Sequence, residues 1–340
     1  MIHRYFQFQS YVAVMINSGE DSSCLYIDDL DISIPKHYIA HPEDYLDFIA
    51  RGSFANVYSF SDSKKKETCA IKIGKEEKDE KFTKDEIAIH RTLNHPNIVR
   101  YYLAYHCNTT NKNIIIMEYM KNNSLENYLE KLYKKYKHIG DHVPLPILKT
   151  VKSLKYLEHI LNGLVYLHNQ LNLVIHRDLR SSNILLGADD NAKLSDFGLS
   201  TVKPESFHES EEKRKRTHVG TYLWYAPEIF RNEYFNCCED IWSLGIVILE
   251  MVFYQPDFFE EYLIKNRYCG QRCLEKDYQQ GLFKDKILRP LLKRIKSRDI
   301  RTLVKTCLVE FAPNRKSSLE LLCLVKLIRS NRKPSKEVLV

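Results

Sequence analysis

Nowhere in this chain of 340 residues do eighteen apolar residues run together, so the sequence predicts no membrane span. The N-terminal run "MIHRYFQFQSYVAVMINSGEDSS" is broken by Gln and Ser and lacks a small-residue cleavage signal, so no signal peptide is expected. Glycine and proline are scarce, at 11 each, which excludes a collagen-like or linker-rich chain. There is no internal repeat. The nine cysteines are scattered, and no two stand at C-x-x-C spacing. Without clustered histidines they make no zinc site, and an odd, dispersed set fits reduced thiols in a cytoplasmic or nuclear protein better than a disulfide framework. The excess of 51 Lys and Arg over 44 Asp and Glu gives a formal charge of +7. That suits an acidic ligand such as a nucleotide but is too diffuse to indicate nucleic-acid binding.

What is present changes along the chain. Residues 1–44 carry an acidic stretch, "EDSSCLYIDDLDIS", and no interpretable motif; they are expected to be partly ordered or to pack on the domain behind them. From Tyr45 short strand-like runs dominate: "YLDFIA", "NVYSF", "TCAIKI" and "NIIIMEY". Between them "EKFTKDEIAIHRTL" has a helix-like pattern built on Phe82, Ile87 and Leu93. After Ser124 the pattern is helical, over 125–137, 149–170, 238–253 and 299–325. The basic stretch 130–155 is expected to be an exposed insertion between helices. Strands early and helices late predict an α+β fold, with a small β-rich lobe joined to a larger α-rich one.

Several motifs occur in a fixed order. "IARGSFANVY" surrounds Gly52, "AIK" contains Lys72, and Glu86 stands ten residues before Pro96 of "HPNIV". "IHRDLRSSNILL" holds His176, Arg177, Asp178, Arg180 and Asn183, and "DFG" begins at Asp196. "APE" (Ala226–Glu228), "DIWSLG" (Asp240–Gly245) and "PNRKS" with Arg315 complete the set. Together they resemble a eukaryotic protein kinase catalytic domain over residues 45–328. The helix wording "EIAIHRTLNHPNIV" is similar to that of polo-like kinases. The resemblance implies a bilobal fold with an N-lobe over 45–117, a hinge at 118–120, a C-lobe over 121–328, an N-terminal extension 1–44 and a tail 329–340.

The resemblance also implies roles. Gly52, Ser53, Phe54, Ala55 and Val57 would cover the phosphates of ATP, although Ala50 and Ala55 replace two of the usual three loop glycines. Lys72 would hold the α- and β-phosphates, paired with Glu86. Ala70, Leu185 and the hinge residues Glu118 and Met120, behind the gatekeeper Met117, would contact the adenine. Asp178 would accept the substrate hydroxyl proton, and Asn183 and Asp196 would ligate Mg²⁺. Glu228 would pair with Arg315, Asp240 would accept backbone donors of the catalytic loop, and His90 reads as core packing.

Position 180 is a point of divergence. Serine/threonine kinases usually carry Lys there, and "HRDLR" followed by two small residues is wording found in cytoplasmic tyrosine kinases. Thr221 in "GTYLWYAPE" matches the serine/threonine pattern instead. Arg180 keeps the positive charge for the γ-phosphate, as a planar fork rather than a point charge. The favoured reading is a serine/threonine protein kinase acting on protein substrates. Tyrosine or dual specificity, a pseudokinase scaffold and a small-molecule kinase remain as alternatives. Arg177 before the catalytic Asp and Thr217 in "KRTHVGT" suggest activation by an upstream kinase or by autophosphorylation.

Overall fold

The computed structural model describes residues 24–27, 32–52, 55–62, 66–75, 86–107, 110–137, 147–204, 224–231, 236–254 and 283–332. The chain divides into two units, Met1–Lys121 with Asp196–Ser200, and Asn122–Ser195 with Thr201–Val340.

Among the described residues the first unit opens with a hairpin, β1 (Cys24–Ile27) and β2 (Ile32–Pro35), followed by two short helices, Lys36–Ala40 and Pro42–Tyr45. Then come β3 (Asp47–Arg51), β4 (Ala55–Asp62), β5 (Glu67–Gly74), β6 (Tyr101–Cys107) and β7 (Lys112–Glu118). These five make one antiparallel sheet in the order β3-β4-β5-β7-β6. Side chains alternate between faces with a period of two, and residues paired across an antiparallel ladder share a face. The register pairs Val57 with Lys72 and Lys72 with Ile115, and likewise Ser59 with Ala70 and Ala70 with Met117. One face therefore collects Val57, Ala70, Lys72 and Met117.

The opposite face carries Tyr58, Cys69, Ile71, Ile73, Ile114 and Ile116, which cluster with Ile34, Ile39 and Leu46. Residues before the sheet thus supply part of its core: Ile34 and Ile39 are almost fully buried. Burying each such aliphatic side chain contributes about 1.5–3 kcal/mol. Cover on this face explains why "TCAIKI" and "NIIIME" read as near-continuous apolar runs instead of alternating ones.

The second unit is mainly helical. It contains Leu125–Lys137, Thr150–His168, Cys238–Phe253, Arg298–Cys307 and Ser318–Ser330, with two small antiparallel pairs. In these, β8 (Asn172–Ile175) pairs with β11 (Thr201–Pro204), and β9 (Ile184–Leu186) with β10 (Ala192–Leu194). Helix Cys238–Phe253 is apolar on every side, and from Glu239 onward every residue is buried. Gly245 lets it approach Arg298–Cys307 closely, since a Cβ there would lie 2.6 Å from Leu308 Cδ2.

Two sequence expectations are corrected here. The helical pattern over 299–325 is two helices, separated by 308–317, where Pro313 lies in a 3₁₀ turn, Ala312–Asn314. The basic stretch 130–155 is not a single exposed insertion. Its ends belong to helices Leu125–Lys137 and Thr150–His168, and Ile147 and Leu148 are buried. Their backbone N–H groups donate to Val252 and Met251 carbonyls, at 3.2 and 3.0 Å. Residues 138–146 lie outside the described residues, as does the helical pattern before Glu86.

Candidate active site

In the first unit the strand register sets Lys72 on one face of β5, and helical residues 86–90 present Glu86 to it. Lys72 Nζ donates to Glu86 Oε1 and Oε2 at 2.7 and 2.8 Å, and to Asp196 Oδ1 at 2.9 Å. Burial works against the ammonium, but the carboxylates of Asp196 and Glu86 outweigh it and hold the Lys72 pKa above its ordinary value. Glu86 is buried, whereas the Asp196 side chain is 45% exposed. One ammonium facing two carboxylates leaves a formal negative charge, with Asp196 its accessible member.

Phe197 is fully buried and packs 5.0 Å from the His90 ring. His90 Nε2 lies 2.7 Å from the Val99 carbonyl. Burial lowers the His90 pKa to about 4, so the ring is a neutral packing element at physiological pH. At the tip of the β3–β4 hairpin, Gly52 N donates to Ala55 O at 2.8 Å, and its own carbonyl accepts from Lys75 Nζ at 2.5 Å. A Cβ on Gly52 would come within 3.1 Å of that Ala55 oxygen, a tight fit that favours glycine here. Ser53 and Phe54 lie outside the described residues. Met117 and Met120 are buried, and Glu118 exchanges bonds with the Arg100 backbone.

In the second unit, the loop after β8 carries Asp178, Arg180 and Asn183. Asn183 Nδ2 donates to the Asp178 carbonyl at 2.9 Å and to its Oδ2 at 2.7 Å. Both of those partners are acceptors, so the amide NH₂ must face them, and Oδ1 accepts from Ser182 Oγ at 3.5 Å. Asp240 anchors the start of the loop. Its Oδ2 accepts from His176 N and its Oδ1 from Arg177 N, both at 2.9 Å. Burial tends to raise the Asp240 pKa, but the bonds and charge from His168 and His176 hold it below the usual range.

Arg177 sits at φ +64°, a left-handed conformation costing a non-glycine residue about 1–3 kcal/mol, so these two bonds hold a strained backbone in place. His176, fully buried, approaches the Ser195 carbonyl at 3.1 Å through Nε2. Glu228 and Arg315 form a buried two-pronged ion pair at 2.7 and 3.0 Å. Leu185 lies on β9 and bridges to Ser124. Thr217 and Thr221 lie outside the described residues.

One set of contacts escaped the sequence reading. The Arg180 guanidinium lies over the Trp224 ring, 5.4 Å from its centroid, and Arg180 Nε donates to Ser182 Oγ at 2.5 Å. Trp224 Nε1 donates to Glu250 Oε2 at 3.3 Å, and Ser181 Oγ to Glu250 Oε1 at 2.7 Å. The signal available in the sequence was Trp224 just before "YAPE", together with a glutamate inside an otherwise apolar helix.

The family model described as "Protein kinase domain" matches residues 44–325. Among curated proteins the chain is similar to serine/threonine-protein kinase fray1 of Dictyostelium discoideum, 32% identical over 225 residues. That match covers 65% of this chain and 36% of the relative. The chain is also similar to cell division control protein 7 of Schizosaccharomyces pombe, 33% identical over 218 residues, covering 63% of this chain and 18% of the relative. The matched region thus spans well under half the length of either relative. No helix among the described residues is long and apolar enough to cross a membrane.

Proposed function

This chain belongs to the protein kinase family, and from that premise we propose that it transfers the γ-phosphoryl group of ATP to serine and threonine hydroxyls of protein substrates. The observation that carries this reading is Lys72 held between Glu86 and Asp196, in a chain that also fixes the Asp178 carboxylate through Asn183. In this reading the Lys72 ammonium orients the α- and β-phosphates, and the segment around Gly52 covers them. Asp178 takes the proton from the acceptor hydroxyl as its oxygen bonds to the γ-phosphorus and the bond to the β–γ bridging oxygen breaks, releasing ADP. Each unit by itself offers an oxygen of the kind a hard cation prefers: in the first the exposed carboxylate of Asp196 with its excess negative charge, and in the second the Oδ1 of Asn183, whose NH₂ is taken by Asp178. Mg²⁺ held by oxygens of this kind would supply charge neutralisation to the phosphates.

Serine/threonine selectivity is supported by the similarity to the serine/threonine-protein kinase fray1 of Dictyostelium and by Thr221 in "GTYLWYAPE". Tyrosine or dual specificity is a second reading, favoured by Arg180 and the small residues Ser181 and Ser182 after it. Control by phosphorylation of Thr217, with Arg177 as the cation that would bind the phosphate, belongs to the same proposal. The deciding experiment offers peptides bearing Ser, Thr or Tyr with labelled ATP and Mg²⁺ to the parent and to Asp178→Asn. The parent is expected to label Ser and Thr peptides, and the variant to turn over about 10²–10⁴-fold more slowly. A preference for Tyr peptides would overturn the specificity. Absence of both ATP–Mg²⁺ binding and transfer would identify a scaffold.

A further inference from the structure

Resting on the phosphoryl-transfer reading, we infer that Trp224 is a positioning residue for Arg180, its indole serving as the platform that sets the guanidinium plane in the catalytic loop. Two contacts orient a planar fork. The ring face against Arg180, 5.4 Å from centroid to Cζ, fixes the plane, and the 2.5 Å bond from Nε to Ser182 Oγ fixes rotation within that plane. A lysine ammonium has no plane and no Nε, so neither restraint would act on it in this way. This gives a physical reason for a fork at position 180 beyond retention of charge.

The platform is itself held. Glu250 accepts the Trp224 indole N–H through one oxygen and the Ser181 hydroxyl through the other. Ser243 Oγ donates to the Trp224 carbonyl at 2.9 Å. Both Glu250 and Ser243 lie on the fully buried helix Cys238–Phe253, so the rigid core carries the platform. Ser181, on the loop, is tied to the same carboxylate, so one buried glutamate fixes the loop and the ring together. Burial raises the Glu250 pKa to about 7, with Glu126 adding to that and Ser181, Trp224 and Arg180 opposing it. Such a carboxylate stays within an apolar helix only at a cost, and its two donors go toward offsetting it. The arrangement is local to the second unit and uses no residue assigned to ATP or metal binding in the first.

The test is a double-mutant cycle on kcat for a peptide that the parent phosphorylates, with KM for ATP and thermal melting measured alongside. Trp224→Leu is expected to lower kcat by about 2- to 30-fold, the range spanned by a cation–π contact, with KM for ATP changed less than about twofold. In an Arg180→Ala background the same substitution should cost less than about twofold, because the group it positions is gone. Trp224→Phe, which keeps a ring face, should recover most of the loss. If Trp224→Leu does not fold, Ser182→Ala tests the second restraint by the same cycle against Arg180→Ala. Equal losses from Trp224→Leu (or Ser182→Ala) with and without Arg180 would overturn the inference while leaving the kinase reading intact. A parent that transfers phosphate to no peptide would instead overturn the kinase reading itself.

Discussion

Replacing Asp240 with Asn changes one carboxylate oxygen to an NH₂ group and so isolates the clamp on the loop that carries Asp178. In the parent, the fully buried carboxylate accepts from His176 N and Arg177 N, each at 2.9 Å, and lies 2.9 Å from His168 Nε2. Asn offers a single oxygen. Whichever way the amide turns, one backbone N–H faces an NH₂ donor and loses its partner. An unsatisfied buried donor costs about 1–3 kcal/mol, and the surviving bond falls from a charge-assisted to a neutral one, a further loss of about 1 kcal/mol. The sum is about 2–4 kcal/mol. For a domain of this size that corresponds to a fall in Tm of roughly 3–7 °C. The strain at Arg177, φ +64°, is then held by one weaker bond, so kcat should fall as well. Urea unfolding with an unchanged slope measures the stability term, and single-turnover transfer measures the rate. The pH dependence carries a sign. The folded-state pKa of Asp240 is depressed, so its stabilisation is complete above its unfolded value near 3.9 and fades as pH falls below that. The gap between parent and variant should therefore narrow in acid. A variant within about 0.5 kcal/mol of the parent at pH 7, with unchanged kcat, would refute the reasoning.

Three further outcomes are expected. Lys72→Met should abolish transfer and, by leaving Glu86 buried without its cation, cost about 3–5 kcal/mol in urea unfolding; transfer at the parental rate would remove Lys72 from the site. Gly245→Ala should cost about 1–3 kcal/mol through overpacking against Leu308, with part recovered in a Leu308→Ala background, both read from thermal melts. Ile34→Ala should destabilise the first unit by about 2–5 kcal/mol although Ile34 precedes the family match; unaltered proteolysis and melting would show that the segment is dispensable.

Much of the fold was legible because its signals are local. The helix at 125–137 follows from its periodicity, and that at 238–253 from an apolar run too long for a strand. The strands at Lys72 and Met117 follow from β-branched runs bounded by turn residues. What escaped was set by tertiary context. Strand β6, "YYLAYHC", has no strong alternation, since it lies at the edge of the sheet with most side chains half-buried. The break after Cys307 was hidden because helical spacing resumes at Ser318, while Arg315 between them turns inward to Glu228 and the Val309 carbonyl. Ile34 and Ile39 gave no motif, because covering a sheet requires only apolar surface at the right place.

The site divides along the same line. Lys72, Glu86, Asp178, Asn183 and Asp196 could be named from sequence because each sits within a short motif of fixed spacing, and the structure brings Lys72 to Glu86 and Asp196, and Asn183 to Asp178. Position 180 differed. Its side chain was visible as an exception, but its meaning depends on Trp224, Ser182 and Glu250, and only Ser182 is close in sequence. A planar cation needs a surface to lie on, and a surface on another segment leaves no local spacing to read. The same reasoning separates the two kinds of specificity evidence in this chain. Thr221 is a residue type at a motif position and can be weighed from sequence, whereas the orientation of Arg180 is a property of packing. A substitution at Trp224 that changed acceptor preference without touching Asp178 or Thr221 would show that packing, not motif wording, sets which hydroxyl the loop admits.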